Sequence, residues 1–102
     1  MEEQLKELRP FFNEKQQLTA LPAKHRKMLA AVWYLAGKID AGRKYTQEEI
    51  GDLLDAWTTF HDPATLRREL YNLHLLERTP DGACYWRAEH IPPLTEFLAK
   101  YL

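Results

Sequence analysis

The sequence predicts a mainly α-helical fold with one small β-hairpin, and three observations support this prediction. Apolar residues recur at steps of three and four in several segments, which places them along one face of a helix. Asp62-Pro63 is a strong helix start, because aspartate caps free backbone N–H groups and proline suits the first helical position. Pro80-Asp81-Gly82 has the residues of a tight turn and lies between two β-prone segments.

Length and composition limit the class of protein. The 102 residues are enough for one domain, expected to span 1–102. Hydrophobic residues make up 45% of the chain, and no apolar run approaches the roughly 20 residues that cross a bilayer. Cys84 is the single cysteine, so no intrachain disulfide can form and a cytoplasmic location is expected. These properties argue against membrane, disulfide-rich secreted and disordered proteins.

The first part of the chain, 1–20, is predicted to be an N-terminal helix and a connector. Leu5 and Leu8 fall at helical spacing in a segment over 3–13. Pro10 interrupts this segment, so the helix is either kinked or begins late.

Two longer helices are predicted over 22–39 and 46–57. The first carries one apolar stripe, and Pro22 suits its first turn because a proline has no N–H to leave unpaired there. The second begins with Thr46 followed three residues later by Glu49, the pattern of a capping box.

A further helix over 62–74, a hairpin of 75–79 with 83–87, and a last helix within 89–102 complete the prediction. The last helix must pack on something, because nearly all its apolar residues share one side. It either forms a homodimer interface or folds back on the N-terminal helix of its own chain. Its apolar stripe comprises Leu94, Phe97, Leu98, Tyr101 and Leu102.

Three helices followed by a tight hairpin indicate a winged helix-turn-helix, here with extra N- and C-terminal helices. Its core and wing would span 21–88, with the helix over 62–74 in the major groove and Pro80–Gly82 at the tip of the wing. The predicted function is that of a DNA-binding transcriptional regulator acting as a dimer on double-stranded DNA. The alternative is a winged-helix module that binds protein and no DNA, because one fold serves many functions.

Seven residues are predicted to contact DNA, because arginine pairs with guanine, asparagine with adenine, and arginine or threonine with phosphate. They are Thr65, Arg67, Arg68, Tyr71, Asn72, Arg78 and Arg87. In the structural alternative, the arginines instead pair with acidic side chains of their own chain. The acidic neighbours in question are Asp62, Glu69, Glu77 and Asp81.

Charge is balanced overall and uneven along the chain. The formal net charge is -1, which disfavours a strongly basic, nonspecific nucleic-acid binder. Within 21–46, six Lys and Arg oppose one Asp, whereas 47–66 carries five Asp and Glu and no Lys or Arg. The basic block either contacts phosphates or is a solvated surface. Its candidate residues are Lys24, Arg26, Lys27, Arg43 and Lys44.

Motifs of catalysis and metal binding are absent from the sequence. It has no glycine-rich phosphate loop, no nucleophile elbow and no metalloprotease helix. The four histidines are dispersed without zinc-ligand spacing. We therefore expect no enzymatic activity, no cofactor and no metal.

The most distinctive stretch of the chain begins with ATLRREL at 64–70 and continues with LLER at 75–78 and YWR at 85–87. It resembles a bacterial family of unknown function, the domain-of-unknown-function family numbered 2087. The resemblance covers about 10–88 and is most specific over 65–86. Members sometimes occur joined to helix-turn-helix regulators of the ArsR type, which implies a regulatory role. The family offers no catalytic residues to carry over.

Overall fold

The computed structural model describes residues 3–102, with side chains from residue 6 onward. It confirms a mainly helical fold with a small antiparallel sheet. None of the helices described in this range is both long and apolar enough to cross a membrane. In chain order the elements are a 3-10 helix at Glu3–Phe11, α1 at His25–Ala36, β1 at Lys44–Tyr45, α2 at Gln47–Ala56, α3 at Pro63–Asn72, β2 at Leu76–Arg78, β3 at Tyr85–Arg87 and α4 at Leu94–Tyr101.

The starts of α2 and α3 confirm the predicted caps. The hydroxyl of Thr46 accepts the N–H of Glu49 at 3.0 Å, and the Glu49 carboxylate accepts the N–H of Thr46 at 2.9 Å. Asp62 accepts the N–H of Thr65 at 3.3 Å, and Pro63 is the first residue of α3. Each of these contacts lies within four residues of sequence, which is why the sequence alone could predict them.

The prediction that Pro22 occupies the first turn of a helix is wrong. The chain before α1 is held extended by long-range hydrogen bonds, from the Leu18 N–H to the Trp57 carbonyl and from the Thr59 N–H to the Leu18 carbonyl, each 2.9 Å long. Lys24, with φ -69° and ψ 132°, is still extended, so α1 begins only at the next residue. These bonds join segments about 40 residues apart, so no local sequence pattern predicts them.

The N-terminal helix predicted over 3–13 is a 3-10 helix that contains Pro10. Proline has no N–H for an α-helical hydrogen bond, so this segment is unsuited to a regular α-helix. Leu8 is fully buried and anchors the 3-10 helix on α1.

The sheet has three strands, where the sequence predicted a two-stranded hairpin. The additional strand β1 pairs with β3, so the spatial order is β1-β3-β2 and every pairing is antiparallel. Tyr45 and Tyr85 are partners in this register and are buried in the core. Their neighbours point to the other face, where Trp86 lies between Lys44 on β1 and Glu77 on β2.

Helix α4 packs on α1 of its own chain, and the N-terminal 3-10 helix packs on α1 as well. The indole N–H of Trp33 donates to the Pro92 carbonyl at 2.9 Å, and the Tyr101 hydroxyl donates to the Leu73 carbonyl at 2.9 Å. The apolar stripe is therefore covered within the chain except at Leu102, which is 63% exposed. Its buried members are Leu94, Phe97 and Leu98.

Candidate nucleic-acid interface

An open groove of about 350 Å³ is lined by the outer face of α3 and by the turn end of the hairpin. We call it the α3 groove. Five of the seven predicted DNA-binding residues line it, and helix and hairpin both contribute to it. Its lining residues are Ala64, Arg67, Arg68, Tyr71, Asn72, Arg78 and Tyr85.

The sequence of α3 determines which side chains face the groove. Leu66 and Leu70 are fully buried, so they fix the inner side of the helix. Residues four apart lie above one another on a helix, so Arg67 with Tyr71, and Arg68 with Asn72, form two rows along the groove. The helix thus presents two cations, an amide and a phenol ring on one surface.

Arg78 joins the hairpin to α3. Its guanidinium carbon lies 4.9 Å from the centre of the Tyr71 ring, a cation–π contact across the groove. Arg78 is also the register partner of Tyr85. The turn is close by, since a Cβ placed on Gly82, where φ is +72°, would lie 3.5 Å from an Arg78 nitrogen. Arg78 is therefore held between the hairpin turn and α3.

Among residues 6–102, the arginines of the α3 groove have no carboxylate partner. Within residues 6–102, no Asp or Glu oxygen lies within 4.0 Å of a nitrogen of Arg67, Arg68 or Arg78. The ion pairs predicted as the structural alternative are thus not formed, and no acidic side chain lines this groove. Three uncompensated cations make its surface electropositive.

Asp81, at the turn, is engaged with its own hairpin. Its carboxylate accepts the Thr79 hydroxyl at 2.6 Å and the Ala83 N–H at 3.0 Å. These two donors lower the pKa of Asp81 below its usual range, the Thr79 hydroxyl contributing most. Asp81 is therefore an ionised part of the turn and not a partner for Arg78.

Thr65 and Arg87 do not line the α3 groove. Thr65 is half-buried in the first turn of α3, where its N–H donates to Asp62. Arg87 ends β3, and its guanidinium donates to the Ile39 carbonyl at 3.4 Å. Strand residues rise about 3.3 Å each, so two steps beyond Tyr85 take Arg87 away from the hairpin turn to the far end of the sheet.

Part of the basic block over 21–46 is neutralised within the chain. Arg26 lies 3.7 Å from Glu7, and Arg43 lies 3.9 Å from both Asp40 and Glu49. All these side chains are about half exposed or more, so the pairs contribute little to stability. The lysines of this block are in none of these pairs, nor are Arg67, Arg68 and Arg78 of the α3 groove.

The four histidine side chains lie in three separate places. His25 Nε2 is 3.3 Å from the Tyr101 carbonyl oxygen, whereas His61 Nδ1 is 3.8 Å from Asp55. His74 and His90 line a separate groove between the end of α3 and α4. In the part of the chain described by the structure, no three His, Cys, Asp or Glu side chains come together as metal ligands.

Tyr85 is the groove residue that the sequence reasoning missed, because it was assigned only to the hairpin strand over 83–87. Arg78 and Tyr85 lie at equal distances along the chain on either side of Asp81-Gly82. Antiparallel strands pair residues symmetrically about their turn, so this spacing was a usable signal.

Fold and groove together define a mainly helical domain with a small sheet and a basic groove. The chain belongs to the family described as "Uncharacterized protein conserved in bacteria (DUF2087)", whose model matches residues 17–87. The matched range runs from before α1 to the end of β3 and contains every residue of the α3 groove. No curated protein and no solved structure matches the chain significantly.

Proposed function

We propose that this chain is a winged helix-turn-helix protein that binds double-stranded DNA, with α3 in the major groove and the β2–β3 hairpin as the wing. The element order supports this, because two helices joined by a connector precede a hairpin that packs beside the second of them. Strand β1 pairs with β3 of the hairpin and completes the three-stranded sheet.

The α3 groove carries the proposal. Arg67 and Arg68 suit the two acceptors of guanine in the major groove, and Asn72 suits the donor and acceptor of adenine. Arg78, on the hairpin, suits a phosphate beside the helix. Tyr71 holds Arg78 by its ring face. Unpaired arginines with an asparagine on one helix face favour nucleic acid over an apolar protein partner.

A regulator is the role that such a chain would have. It would act in the cytoplasm as a transcriptional regulator without a catalytic step. As a dimer it would present two α3 helices roughly 34 Å apart. Because the α4 stripe is covered within the chain except at Leu102, we propose that a dimer forms through another surface or that the DNA brings two chains together.

The test is a salt titration of binding to a labelled mixed-sequence DNA duplex, followed by fluorescence anisotropy. The wild-type chain is compared with Arg67→Ala/Arg68→Ala. The matched control is Arg9→Ala/Lys15→Ala, which removes the same charge from exposed positions away from the groove. We expect micromolar binding at low salt, a logarithmic salt slope of several units, and a loss of about tenfold or more in the groove variant.

The outcome separates the two functional classes. A weaker affinity and a flatter salt slope in the groove variant alone would support contacts through α3. No binding by folded wild-type chain at 20 mM salt would overturn the proposal and favour the module that binds protein. Equal losses of affinity in the groove and control variants would also overturn it, because they would show that binding depends only on the net charge of the chain.

A further inference from the structure

A further groove, of about 490 Å³, lies at the end of the sheet away from the hairpin turn. It is distinct from the groove lined by His74 and His90, and we call it the Trp86 groove. It shares no lining residue with the α3 groove. Its lining combines an indole, two cations, one carboxylate and a glycine. These are Gly42, Lys44, Trp86, Arg87 and Glu89.

Trp86 provides a ring face on the outer side of the sheet. It lies on the central strand, between Lys44 and Glu77, and is half-buried. No other aromatic ring or cation among the described residues stacks on its indole. Two strands fix its backbone, so the indole is a positioned surface on which a planar group can stack.

The cations beside this indole lack acidic partners. Neither Lys44 nor Arg87 has a carboxylate oxygen within 4.0 Å among residues 6–102, although Glu89 shares the groove. Arg87 is half-buried, it is tethered to the Ile39 carbonyl, and its Nε is enclosed without a partner. Arg87 lines the groove and has no carboxylate partner among residues 6–102, so a bound anion would pair with its charge there.

The entrance to the groove is open. Gly42 has φ +77°, and nothing lies within 4 Å of the position that a Cβ would occupy there. Glu89 is exposed at the rim and can accept hydrogen bonds from hydroxyl or amino groups. It would repel a simple anion, so the best ligand carries donors as well as negative charge.

From this combination we infer that the Trp86 groove binds a nucleotide. The base stacks on Trp86, the phosphate contacts Lys44 and Arg87, and the ribose hydroxyls or base amino group donate to Glu89. The volume of the groove lies within the range of small-molecule sites. A base bearing a phosphate occurs both as a free mononucleotide and at the end of a single strand, and the experiment separates these two sources.

The experiment is a ¹H–¹⁵N NMR titration of the full chain with adenosine monophosphate and, separately, with a single-stranded tetranucleotide. The three tryptophan indole N–H signals, assigned by Trp→Phe variants, report stacking at Trp86. Inorganic phosphate and adenosine are titrated as partial ligands. Lys44→Gln tests the site, and Lys24→Gln, on an exposed residue at the start of α1, is the matched control.

Saturable shifts at Gly42, Lys44 and the Trp86 indole, with a dissociation constant of about 1 mM or tighter, are expected for the mononucleotide. We expect at least roughly fivefold weaker binding in Lys44→Gln and unchanged binding in Lys24→Gln. Glu89→Gln should weaken the nucleotide yet strengthen inorganic phosphate. Tighter binding of the tetranucleotide than of the mononucleotide would assign the site to a strand end, and the reverse to a free nucleotide.

Three results would overturn the inference. The first is an absence of shifts up to 10 mM of either ligand. The second is inorganic phosphate binding as tightly as the nucleotide, which would mean that Trp86 contributes nothing. The third is shifts confined to the α3 groove. The first two results do not bear on DNA binding by α3, because the two grooves share no residue.

Discussion

Tyr71 and Arg78 are the groove residues whose side chains contact each other across the helix–hairpin boundary. Tyr71 is 42% exposed, and its ring face contacts the Arg78 guanidinium. Its contact with Arg78 suggests that the ring positions the guanidinium and does not itself read a base. A cation–π contact needs the ring face and not the hydroxyl, so the two functions are separable.

We therefore predict that Tyr71→Phe retains DNA affinity, whereas Tyr71→Leu weakens it severalfold. The loss in Tyr71→Leu should not add to the loss in Arg78→Ala, because both changes remove one interaction. Anisotropy titrations of the two single variants and the double variant measure this coupling. Additive losses would show that Tyr71 contacts DNA independently of Arg78.

Asp81 gives a prediction about pH. The Thr79 hydroxyl is the main cause of its lowered pKa, so Thr79→Val should raise that pKa towards the ordinary aspartate value of about 3.9. Glu49 is the internal control, since its lowered pKa comes chiefly from the Thr46 backbone N–H and should not change. Carboxyl ¹³C shifts followed against pH measure both groups in one experiment.

The sign of the effect on stability follows from the direction of the shift. The folded state holds the Asp81 proton less tightly than the unfolded state, so the stabilisation is fully present above about pH 4. It is lost as the pH falls through the folded pKa. Urea unfolding at pH 7 and pH 3 should show a smaller loss on acidification in Thr79→Val than in the wild type. An equal loss would contradict the assignment of the shift to Thr79.

Helix α2 contains a glycine that its geometry does not require. Gly51 is buried in the helix interior, and a Cβ there would meet an Arg67 nitrogen at 3.6 Å and the Pro63 Cβ at 3.8 Å, both ordinary contact distances. We predict that Gly51→Ala raises the free energy of unfolding by about 0.5–1 kcal/mol, because alanine restricts the unfolded chain and favours the helix.

The matched control for Gly51→Ala is Gly42→Ala. Gly42 has room for a Cβ but adopts φ +77°, which disfavours every side chain. Gly42→Ala should therefore destabilise by about 1 kcal/mol. Urea denaturation at pH 7 compares both variants with the wild type. Destabilisation by Gly51→Ala would show that Arg67 and Pro63 cannot yield to the added methyl group.

Predictability from the sequence depended on how far apart the interacting residues lie. The caps at Thr46 and Asp62 use partners three residues away, and the sequence predicted both. Strand β1 pairs with residues about 40 positions later, and its two residues carry no alternating pattern. The extended segment at Leu18 likewise depends on Trp57, which only the folded chain brings near.

The candidate site followed the same rule. Five residues of α3 were predicted to contact DNA, and four of them line the groove: Arg67, Arg68, Tyr71 and Asn72. Thr65 is half-buried in the first turn of α3 and does not line the groove. Arg87 does not line it either, because it lies at the end of β3 away from the hairpin turn. The Trp86 groove was missed, since it combines a loop with two strands.

The packing of α4 on α1 makes the C-terminal segment part of the chain's single described core. Phe97 is 1% exposed and belongs to the same buried cluster as residues of α1 and α3. Its ring also lies 5.0 Å from that of Tyr101, whose hydroxyl reaches the end of α3. Helix α4 thereby supports α3, which lines the α3 groove. We therefore expect substitutions that disrupt α4 to perturb the groove as well.

We predict that Phe97→Ala lowers the free energy of unfolding by about 3–5 kcal/mol, whereas Leu102→Ala, at the exposed end of the same stripe, changes it little. Phe97→Leu is the milder variant, should the alanine variant fail to fold. Urea denaturation is measured by circular dichroism at 2 µM and 200 µM chain. If the stripe is covered within the chain, the midpoint is the same at both concentrations, because no association is linked to folding. A midpoint that rises with concentration, together with a large effect of Leu102→Ala, would instead place the α4 stripe at an interface between two chains.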